Sequence, residues 1–317
     1  MITERIDLWK PEEYSYPLAF GFKPNLRTYL HEDDEIRPAM VVVPGGAYAF
    51  VAPTEAGIIA EKFYDYGYNA FVVTYTVNPL GKESLRDQPA RDLSRAIRIV
   101  RSKAETFKID PERLAIVGFS AGGHLCASVC VHFADYEDPA YPDVSNRPDA
   151  AILSYPVITS GEKAHRGSFD NLLGKDASEE ALHYASLETQ VRPDTTPCFL
   201  WHTVTDDLVP VENSLYFAEA LRANQVPYAL HIFSEGQHGY SLADERWAAG
   251  DLGEPYTLEP TMATIEAAKA GLVEAPKEFL AFAEGFDNAD FQAEQNEEVR
   301  VWPEAAAGWL KKIFSKK

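Results

Sequence analysis

The fold is decided by residues 114–124, whose sequence is LAIVGFSAGGH. The apolar run at its start predicts a buried strand, and the small and apolar residues after Ser120 predict a helix. Between them lies the pattern Gly118-Phe119-Ser120-Ala121-Gly122. Glycines on both sides of Ser120 let a strand and a helix pack closely around a sharp turn, and the N–H groups of the new helix then point toward the serine. Ser120 is therefore the first candidate nucleophile.

Outward from this turn, apolar runs rich in β-branched residues alternate with amphipathic stretches. The apolar runs predict strands at residues 39–43, 70–75, 114–118, 150–154, 198–202 and 228–233. The amphipathic stretches predict a helix at about 53–66, one around Leu93, Ile97 and Val100, and a last one at about 303–314. This alternation is typical of βα units. The sequence therefore predicts an α/β fold with a mostly parallel central sheet and helices on both faces.

Two segments interrupt the alternation. Residues 156–196 are rich in turn formers and charge, and residues 242–300 contain 14 acidic residues against 4 basic ones. Because the alternation resumes after each segment, we expect a single domain over residues 1–317. The first segment would form a short cap at about 156–196, and the second an acidic insertion at about 242–300, before the last helix.

The composition excludes several classes of partner. The chain has 29 Lys and Arg against 49 Asp and Glu, which gives a formal net charge of −20. Such a charge repels phosphate backbones and anionic membrane surfaces. The first residues lack a secretory signal pattern, and nowhere do 18 apolar residues run together. We therefore expect no nucleic-acid partner, no membrane partner and a cytoplasmic location.

Cysteine usage gives no sign of a metal site. The chain has three cysteines, Cys126, Cys130 and Cys198. Three cannot form a disulfide framework, and no pair has zinc-ligand spacing with nearby histidines. Cys126 and Cys130 lie four residues apart in an apolar run, which predicts buried packing on one helix face. We expect neither a metal nor a cofactor.

A serine alone is a poor nucleophile, so a general base and an acid that orients it should follow Ser120 in the chain. In hydrolases built on this kind of turn, the acid and then the histidine come at the ends of later strands. The strand at 198–202 leads to Asp206 and Asp207, and the strand at 228–233 leads to His238. Alternatively, the two aspartates cap the following helix and His238 is a surface histidine. The residues themselves leave Asp206 and Asp207 both open.

The loop after the first apolar strand is a candidate oxyanion-binding element. It has the sequence Val43-Pro44-Gly45-Gly46-Ala47-Tyr48. Acyl transfer needs N–H donors aimed at the developing oxyanion, and two consecutive glycines let the backbone approach a carbonyl group closely. The alternative is a plain type II turn, for which Pro-Gly is itself a good signal.

Together these motifs resemble the bacterial α/β-hydrolase carboxylesterases, in particular acetyl esterases and xylan esterases. The resemblance covers about residues 25–240 and the last helix. It implies an α/β-hydrolase fold, with Ser120 as nucleophile and His238 as general base. The family's acid lies three residues before Val209-Pro210, which selects Asp206. The oxyanion donors that the resemblance implies are the N–H groups of Gly45, Gly46 and Ala121, although Pro44 stands where the family usually has histidine.

The resemblance implies hydrolysis of short-chain, acetyl-type carboxylic esters through an acyl-enzyme, with acetylated oligosaccharides as candidate substrates. The charged cap, with few large apolar side chains, is unsuited to a lipid tunnel; its charges include Arg166, Lys175, Asp176, Glu179 and Glu180. Two alternatives are a serine peptidase of the oligopeptidase kind and a catalytically inactive hydrolase fold that only binds ligands.

Tyr240, Trp247 and Tyr256 lie near the start of the acidic insertion and predict a wall of rings on the leaving-group side of the pocket. The alternative role for the insertion is a peripheral appendage, such as a homo-oligomer contact. Among other polar and aromatic residues, His124, Trp201 and His202 are expected to be packing or core residues, and Asp92, at the start of the amphipathic helix surface, to make a structural ion pair.

Overall fold

The computed structural model describes residues 1–286 and 293–315. Eight strands in these residues form one sheet: β1 (Arg5–Asp7), β2 (Asn25–Tyr29), β3 (Arg37–Val43), β4 (Asn69–Thr74), β5 (Ile109–Phe119), β6 (Ala150–Ser154), β7 (Cys198–Thr203) and β8 (Tyr228–Phe233). Their order across the sheet is β1-β2-β4-β3-β5-β6-β7-β8. The strands from β3 to β8 pair in parallel, whereas β2 runs antiparallel to both β1 and β4. The mostly parallel sheet expected from the sequence is confirmed.

Helices surround this sheet. They are α1 (Gly57–Asp65), α2 (Gln88–Ser102), α3 (Ala104–Phe107), α4 (Ser120–His132), α5 (Arg166–Leu173), α6 (Glu179–Tyr184), α7 (Glu212–Ala223), α8 (Glu245–Ala248), α9 (Glu259–Lys269), α10 (Lys277–Phe286) and α11 (Trp302–Phe314). Short 3-10 turns lie at Pro11–Glu13, Pro53–Glu55, Phe133–Asp135, Leu187–Thr189, Tyr256–Leu258 and Val299–Val301. No helix in the described ranges combines the length and the apolar composition that a bilayer crossing requires.

Two apolar cores lie on opposite faces of the sheet. Because successive side chains of a strand point to opposite faces, Val41 and Val43 belong to one core and Met40 and Val42 to the other. Helices α2, α4 and α7 cover the first core, and α1 and α11 cover the second. Cys126 and Cys130 are buried in α4, as predicted. Burial on both faces explains why the parallel strands are continuous apolar runs.

The two segments that interrupt the alternation are largely helical. Residues 156–196 contain α5, α6 and one 3-10 turn, and residues 242–300 contain α8, α9 and α10. Residues 287–292 of the expected acidic insertion lie outside the described residues. The helix expected at about 53–66 is divided into the 3-10 turn Pro53–Glu55 and α1.

Asp92 corrects one expectation. Its side chain is fully buried rather than at the surface, and its partners in the described part of the chain are neutral donors instead of a cation. Thr76 donates through its backbone N–H and its hydroxyl, Gln88 through its side-chain amide, and Trp9 through its indole N–H. Burial raises the pKa of Asp92 to about 6, although these hydrogen bonds oppose the shift. The amphipathic pattern gave no sign that a charged residue in α2 faces inward.

Candidate active site

Ser120 lies on the sharp turn between β5 and α4. Its φ angle is +52°, a left-handed conformation that is uncommon outside glycine and marks a strained turn. The flanking glycines permit it: a Cβ on Gly118 would lie 2.3 Å from the Gly122 carbonyl oxygen, and one on Gly122 would lie 2.2 Å from the Val43 carbonyl oxygen. The strand, the helix and the loop after β3 can therefore meet only because these positions have no side chain.

The structure brings Ser120, His238 and Asp206 into one chain of hydrogen bonds. The Ser120 Oγ lies 2.8 Å from Nε2 of His238, and Nδ1 of His238 lies 2.8 Å from Oδ2 of Asp206. Because the carboxylate can only accept, it holds the imidazole proton on Nδ1 and leaves Nε2 to accept from the serine hydroxyl. This arrangement can activate the hydroxyl as a nucleophile.

Asp206 is held by four donors. Its Oδ1 accepts from the backbone N–H groups of Leu208 at 3.0 Å and Val209 at 2.8 Å. Its Oδ2 accepts from His238 and lies 3.2 Å from Nε2 of His202. Burial acts to raise the pKa of Asp206, but the hydrogen bonds from His202 and His238 outweigh it and hold the pKa well below its usual range. Asp206 therefore stays a carboxylate next to the imidazole.

Asp207 has a different contact. Its Oδ1 accepts from the backbone N–H of His238 at 3.2 Å, so it touches the histidine loop and not the ring. Of the two aspartates that the residues left open, only Asp206 lies beside the imidazole.

His202 was expected to be a core histidine, and it is fully buried at the end of β7. Its Nδ1 lies 2.8 Å from the Ser214 hydroxyl, and its Nε2 lies 2.9 Å from the Val209 carbonyl oxygen. The sequence analysis missed its third contact, the one to Asp206. The available signal was spacing, since His202 precedes the acid by only four residues on the same strand end.

The glycine loop after β3 differs from the expectation at one position. The N–H of Gly45 donates to Oε2 of Glu55 at 2.7 Å, so this donor already has an acceptor within the chain. For the N–H of Gly46, the described residues provide no acceptor within hydrogen-bond distance. The N–H of Ala121 lies in the first turn of α4, where a helix leaves its N–H groups without internal partners. Of the three oxyanion donors that the resemblance implies, those of Gly46 and Ala121 therefore remain without an acceptor among the described residues.

Several core side chains hold the cap by the backbone carbonyls of the cap. His124 donates from Nε2 to the Ala185 carbonyl oxygen at 2.9 Å, and its Nδ1 accepts from the Tyr48 hydroxyl at 2.8 Å. Burial lowers the pKa of His124 to about 4, so the ring is neutral. His132 and Asn78 make similar contacts, to the carbonyls of Tyr184 and Asn171 at 3.0 and 3.3 Å. The packing role expected for His124 is confirmed, and it connects the glycine loop with the cap.

A cavity of about 590 Å³ lies between the cap and helices α2 and α4. Tyr48 and His124 form part of its wall, but Ser120, Asp206 and His238 do not line it. Beside the serine itself, Val157 donates from its backbone N–H to the Ser120 carbonyl oxygen at 3.1 Å. Val157 packs with Phe169, Ala185 and Val209 in a small buried cluster under the cap.

The prediction that aromatic rings of the acidic insertion line the pocket is wrong for Trp247 and Tyr256, two of the three residues named for it. Trp247 is only 2% exposed and packs in the core on the α1 and α11 face. Tyr256 donates to or accepts from the Tyr29 hydroxyl at 2.9 Å, and the Arg27 guanidinium covers its ring at 4.1 Å. Trp247 is thus enclosed by the core, and Tyr29 and Arg27 occupy the hydroxyl and one face of Tyr256. Their spacing from His238 along the chain indicated proximity but not orientation.

The described residues contain no group of three or more His, Cys, Asp or Glu side chains arranged to hold a metal ion.

A mostly parallel sheet with a serine on a strand-to-helix turn, and with an aspartate and a histidine following later strands, defines an α/β-hydrolase. The chain belongs to the BD-FAE family, whose family model matches residues 26–221.

Named relatives agree with this family. The chain is 46% identical over 260 residues to an endo-1,4-beta-xylanase B of Butyrivibrio fibrisolvens, which covers 81% of this chain and 41% of the relative. It is 34% identical over 248 residues to an acetylxylan esterase of Xylanibacter ruminicola, and the match covers 76% of this chain and 49% of that relative. The chain thus spans less than half the length of these two curated relatives.

A solved structure agrees as well. The fold matches an acetyl ester-xyloside bifunctional hydrolase from Caldicellulosiruptor lactoaceticus with a TM-score of 0.71 and 36% identity, over 85% of this chain and 97% of that one. The resemblance to bacterial esterases of the acetyl and xylan type, and the α/β-hydrolase fold that it implied, are confirmed.

Proposed function

We propose that this chain is a serine esterase that hydrolyses short-chain, acetyl-type carboxylic esters through a covalent acyl-enzyme. The observation that carries the proposal is the pair of 2.8 Å contacts that join Ser120 to His238 and His238 to Asp206. A neutral imidazole aimed at a serine hydroxyl, and oriented by a carboxylate, is the arrangement that nucleophilic acyl transfer requires.

In the first step the Ser120 Oγ attacks the ester carbonyl carbon while its proton passes to Nε2 of His238. The carbonyl oxygen becomes an oxyanion, and the N–H groups of Gly46 and Ala121 stabilise it. The tetrahedral intermediate then expels the alcohol, which takes the proton from His238. In the second step His238 deprotonates a water molecule, the water attacks the acyl-enzyme, and Ser120 leaves with the proton. The Asp206 carboxylate stabilises the imidazolium formed in both steps.

For the substrate, we propose acetyl groups on short xylan-type oligosaccharides. Relatives named as an acetylxylan esterase and as an acetyl ester-xyloside hydrolase support this class. The charged cap, with few large apolar side chains, also favours a short acyl group over a long one.

The experiment compares wild type with Ser120→Ala on p-nitrophenyl esters from acetate to octanoate, on acetylated xylo-oligosaccharides and on peptides. We expect Ser120→Ala to lose several orders of magnitude in kcat while keeping its fold. A fluorophosphonate probe should label wild type and not the variant. Acetate should exceed octanoate in kcat/KM. More than a tenth of wild-type activity in Ser120→Ala would refute the mechanism, and peptide cleavage without ester cleavage would refute the substrate class.

A further inference from the structure

Glu55 is a buried carboxyl group close to Ser120 that the mechanism above does not use. It ends the 3-10 turn Pro53–Glu55 and is 4% exposed. No ion pair joins it in the described part of the chain. Its two oxygens accept from two neutral donors, the Gly45 N–H and the Tyr155 hydroxyl, each at 2.7 Å. Burying a carboxylate without a cation is unfavourable, so a contribution to function would explain its presence.

On one side, Glu55 anchors the glycine loop. The Pro44–Gly45 peptide is held at both ends, because Glu55 accepts from its N–H and Tyr75 donates its hydroxyl to the Pro44 carbonyl oxygen at 2.7 Å. A peptide unit is planar, so two such bonds determine its orientation. The next carbonyl, that of Gly45, accepts from the Ala52 N–H at 3.1 Å. With the Gly45 N–H occupied, the N–H of Gly46 is the next donor along the loop, and the described residues provide no acceptor for it.

On the other side, Glu55 reaches the histidine loop through Tyr155. The Tyr155 hydroxyl that donates to Glu55 also accepts from the Ser241 backbone N–H at 3.1 Å, three residues after His238. The Tyr155 ring packs edge-on against the His238 ring, with centroids 4.9 Å apart. One buried carboxylate therefore connects the loop that carries the oxyanion donor with the loop that carries the base.

We propose that Glu55 is a positioning residue whose carboxylate fixes the Gly45–Gly46 loop relative to the loop that carries His238. In that position the Gly46 N–H faces the oxygen of the carbonyl that Ser120 attacks. This inference rests on the proposed esterase function. Burial raises the pKa of Glu55, and the hydrogen bonds from Tyr155 and Gly45 oppose that shift. The Gly45 N–H can only donate, so it favours an unprotonated oxygen at that position.

The test measures kcat and KM on p-nitrophenyl acetate, together with thermal unfolding, for Glu55→Ala and Glu55→Gln. Alanine removes both acceptors and frees the glycine loop. Because loss of one oxyanion donor costs about 10²- to 10³-fold in kcat, we expect a fall of that size in Glu55→Ala, with KM within about threefold of wild type. Glutamine keeps one oxygen for the Gly45 N–H, so Glu55→Gln should recover kcat to within about tenfold of wild type.

A second readout reports the oxyanion geometry directly. A trifluoromethyl ketone adds to the serine and forms a tetrahedral oxyanion, so its inhibition constant should rise in Glu55→Ala by about the factor that kcat falls. The matched control is Glu61→Ala, which removes a glutamate of α1 that pairs with Arg246 at the surface. Its kcat should stay within about twofold of wild type.

Three outcomes would overturn the inference: a folded Glu55→Ala with kcat within threefold of wild type, a change confined to KM, or an unchanged inhibition constant. If Glu55→Ala does not fold, Tyr155→Phe tests the inference instead. This variant keeps the Glu55 carboxyl and removes the hydroxyl that connects it to the histidine loop. It should lower kcat about tenfold at constant KM, and wild-type kcat would overturn the inference. More than a tenth of wild-type activity in Ser120→Ala would instead refute the proposed function, which separates the two failures.

Discussion

Asparagine at position 206 should disable the reaction although it is almost isosteric with aspartate. The Asp206 carboxylate accepts from two groups of donors: the backbone N–H groups of Leu208 and Val209 on Oδ1, and the rings of His238 and His202 on Oδ2. An asparagine side chain has one oxygen and one NH₂ group, so it can accept on one side only.

Both orientations of the asparagine amide impair His238 as the general base. If its oxygen keeps the backbone N–H groups, its NH₂ faces Nδ1 of His238, and the imidazole proton must move to Nε2. The Ser120 hydroxyl then meets a donor and cannot give up its proton. If the oxygen faces the histidines, the NH₂ meets two backbone N–H groups, and the loop from 206 to 209 must shift. We therefore expect kcat to fall about 10³- to 10⁴-fold, which corresponds to about 4–5.5 kcal/mol in the activation free energy.

The matched control is Asp207→Asn. The Asp207 carboxylate accepts only from the backbone N–H of His238 in the described contacts, and an asparagine oxygen can accept the same bond. Its kcat on p-nitrophenyl acetate should stay within about fivefold of wild type, since a single hydrogen bond of an exposed residue is at stake. Circular dichroism and thermal unfolding check that both variants fold. If Asp207→Asn is the more damaged variant, or the two fall equally, the assignment of the orienting acid to Asp206 is wrong.

Two further predictions concern stability. Because the pKa of Asp92 is about 6 in the folded chain against 3.8 for an ordinary aspartate, the folded state keeps its proton at a pH where the unfolded chain has lost it, and the contribution of Asp92 to stability should fall by about 2 kcal/mol as pH rises from 4 to 7. Urea unfolding of wild type and Asp92→Asn checks this, and an equal pH dependence in both would contradict it. Trp247→Ala should cost about 3–5 kcal/mol in unfolding free energy because the ring is fully buried, and it should affect an aryl acetate and an acetylated oligosaccharide equally. A loss of activity on the oligosaccharide alone would instead support a position of Trp247 in the wall of the substrate pocket.

Much of the fold could be predicted because its strands are buried on both faces. Runs such as 39–43 and 150–153 are apolar throughout, and they lie in β3 and β6. The strands β1 and β2 escaped detection, since Arg5–Asp7 is short and mostly exposed, and Asn25–Tyr29 mixes polar with apolar residues. A short antiparallel edge carries too little hydrophobic pattern to identify from sequence.

The active site, too, could be predicted from the sequence only in part. Ser120, His238 and Asp206 follow apolar strands in a recognisable order, so their proximity could be predicted. Glu55 could not, because its role depends on Tyr155, a hundred residues further along the chain. The Gly45 N–H donates to Glu55, and nothing in the Gly-Gly pattern indicates this acceptor. Contacts between a residue and a distant side chain leave no local trace.

The docking of the cap has a consequence for how enzymes of this architecture diversify. His124, His132 and Asn78 of the core hold the cap at the carbonyl oxygens of Ala185, Tyr184 and Asn171. Every amino acid supplies a carbonyl, so substitutions in the cap leave this attachment intact as long as its backbone path is kept. Mutational drift can therefore change the exposed side chains of the cap one at a time, whereas buried ones such as Leu172 and Leu187 pack in the core and stay constrained.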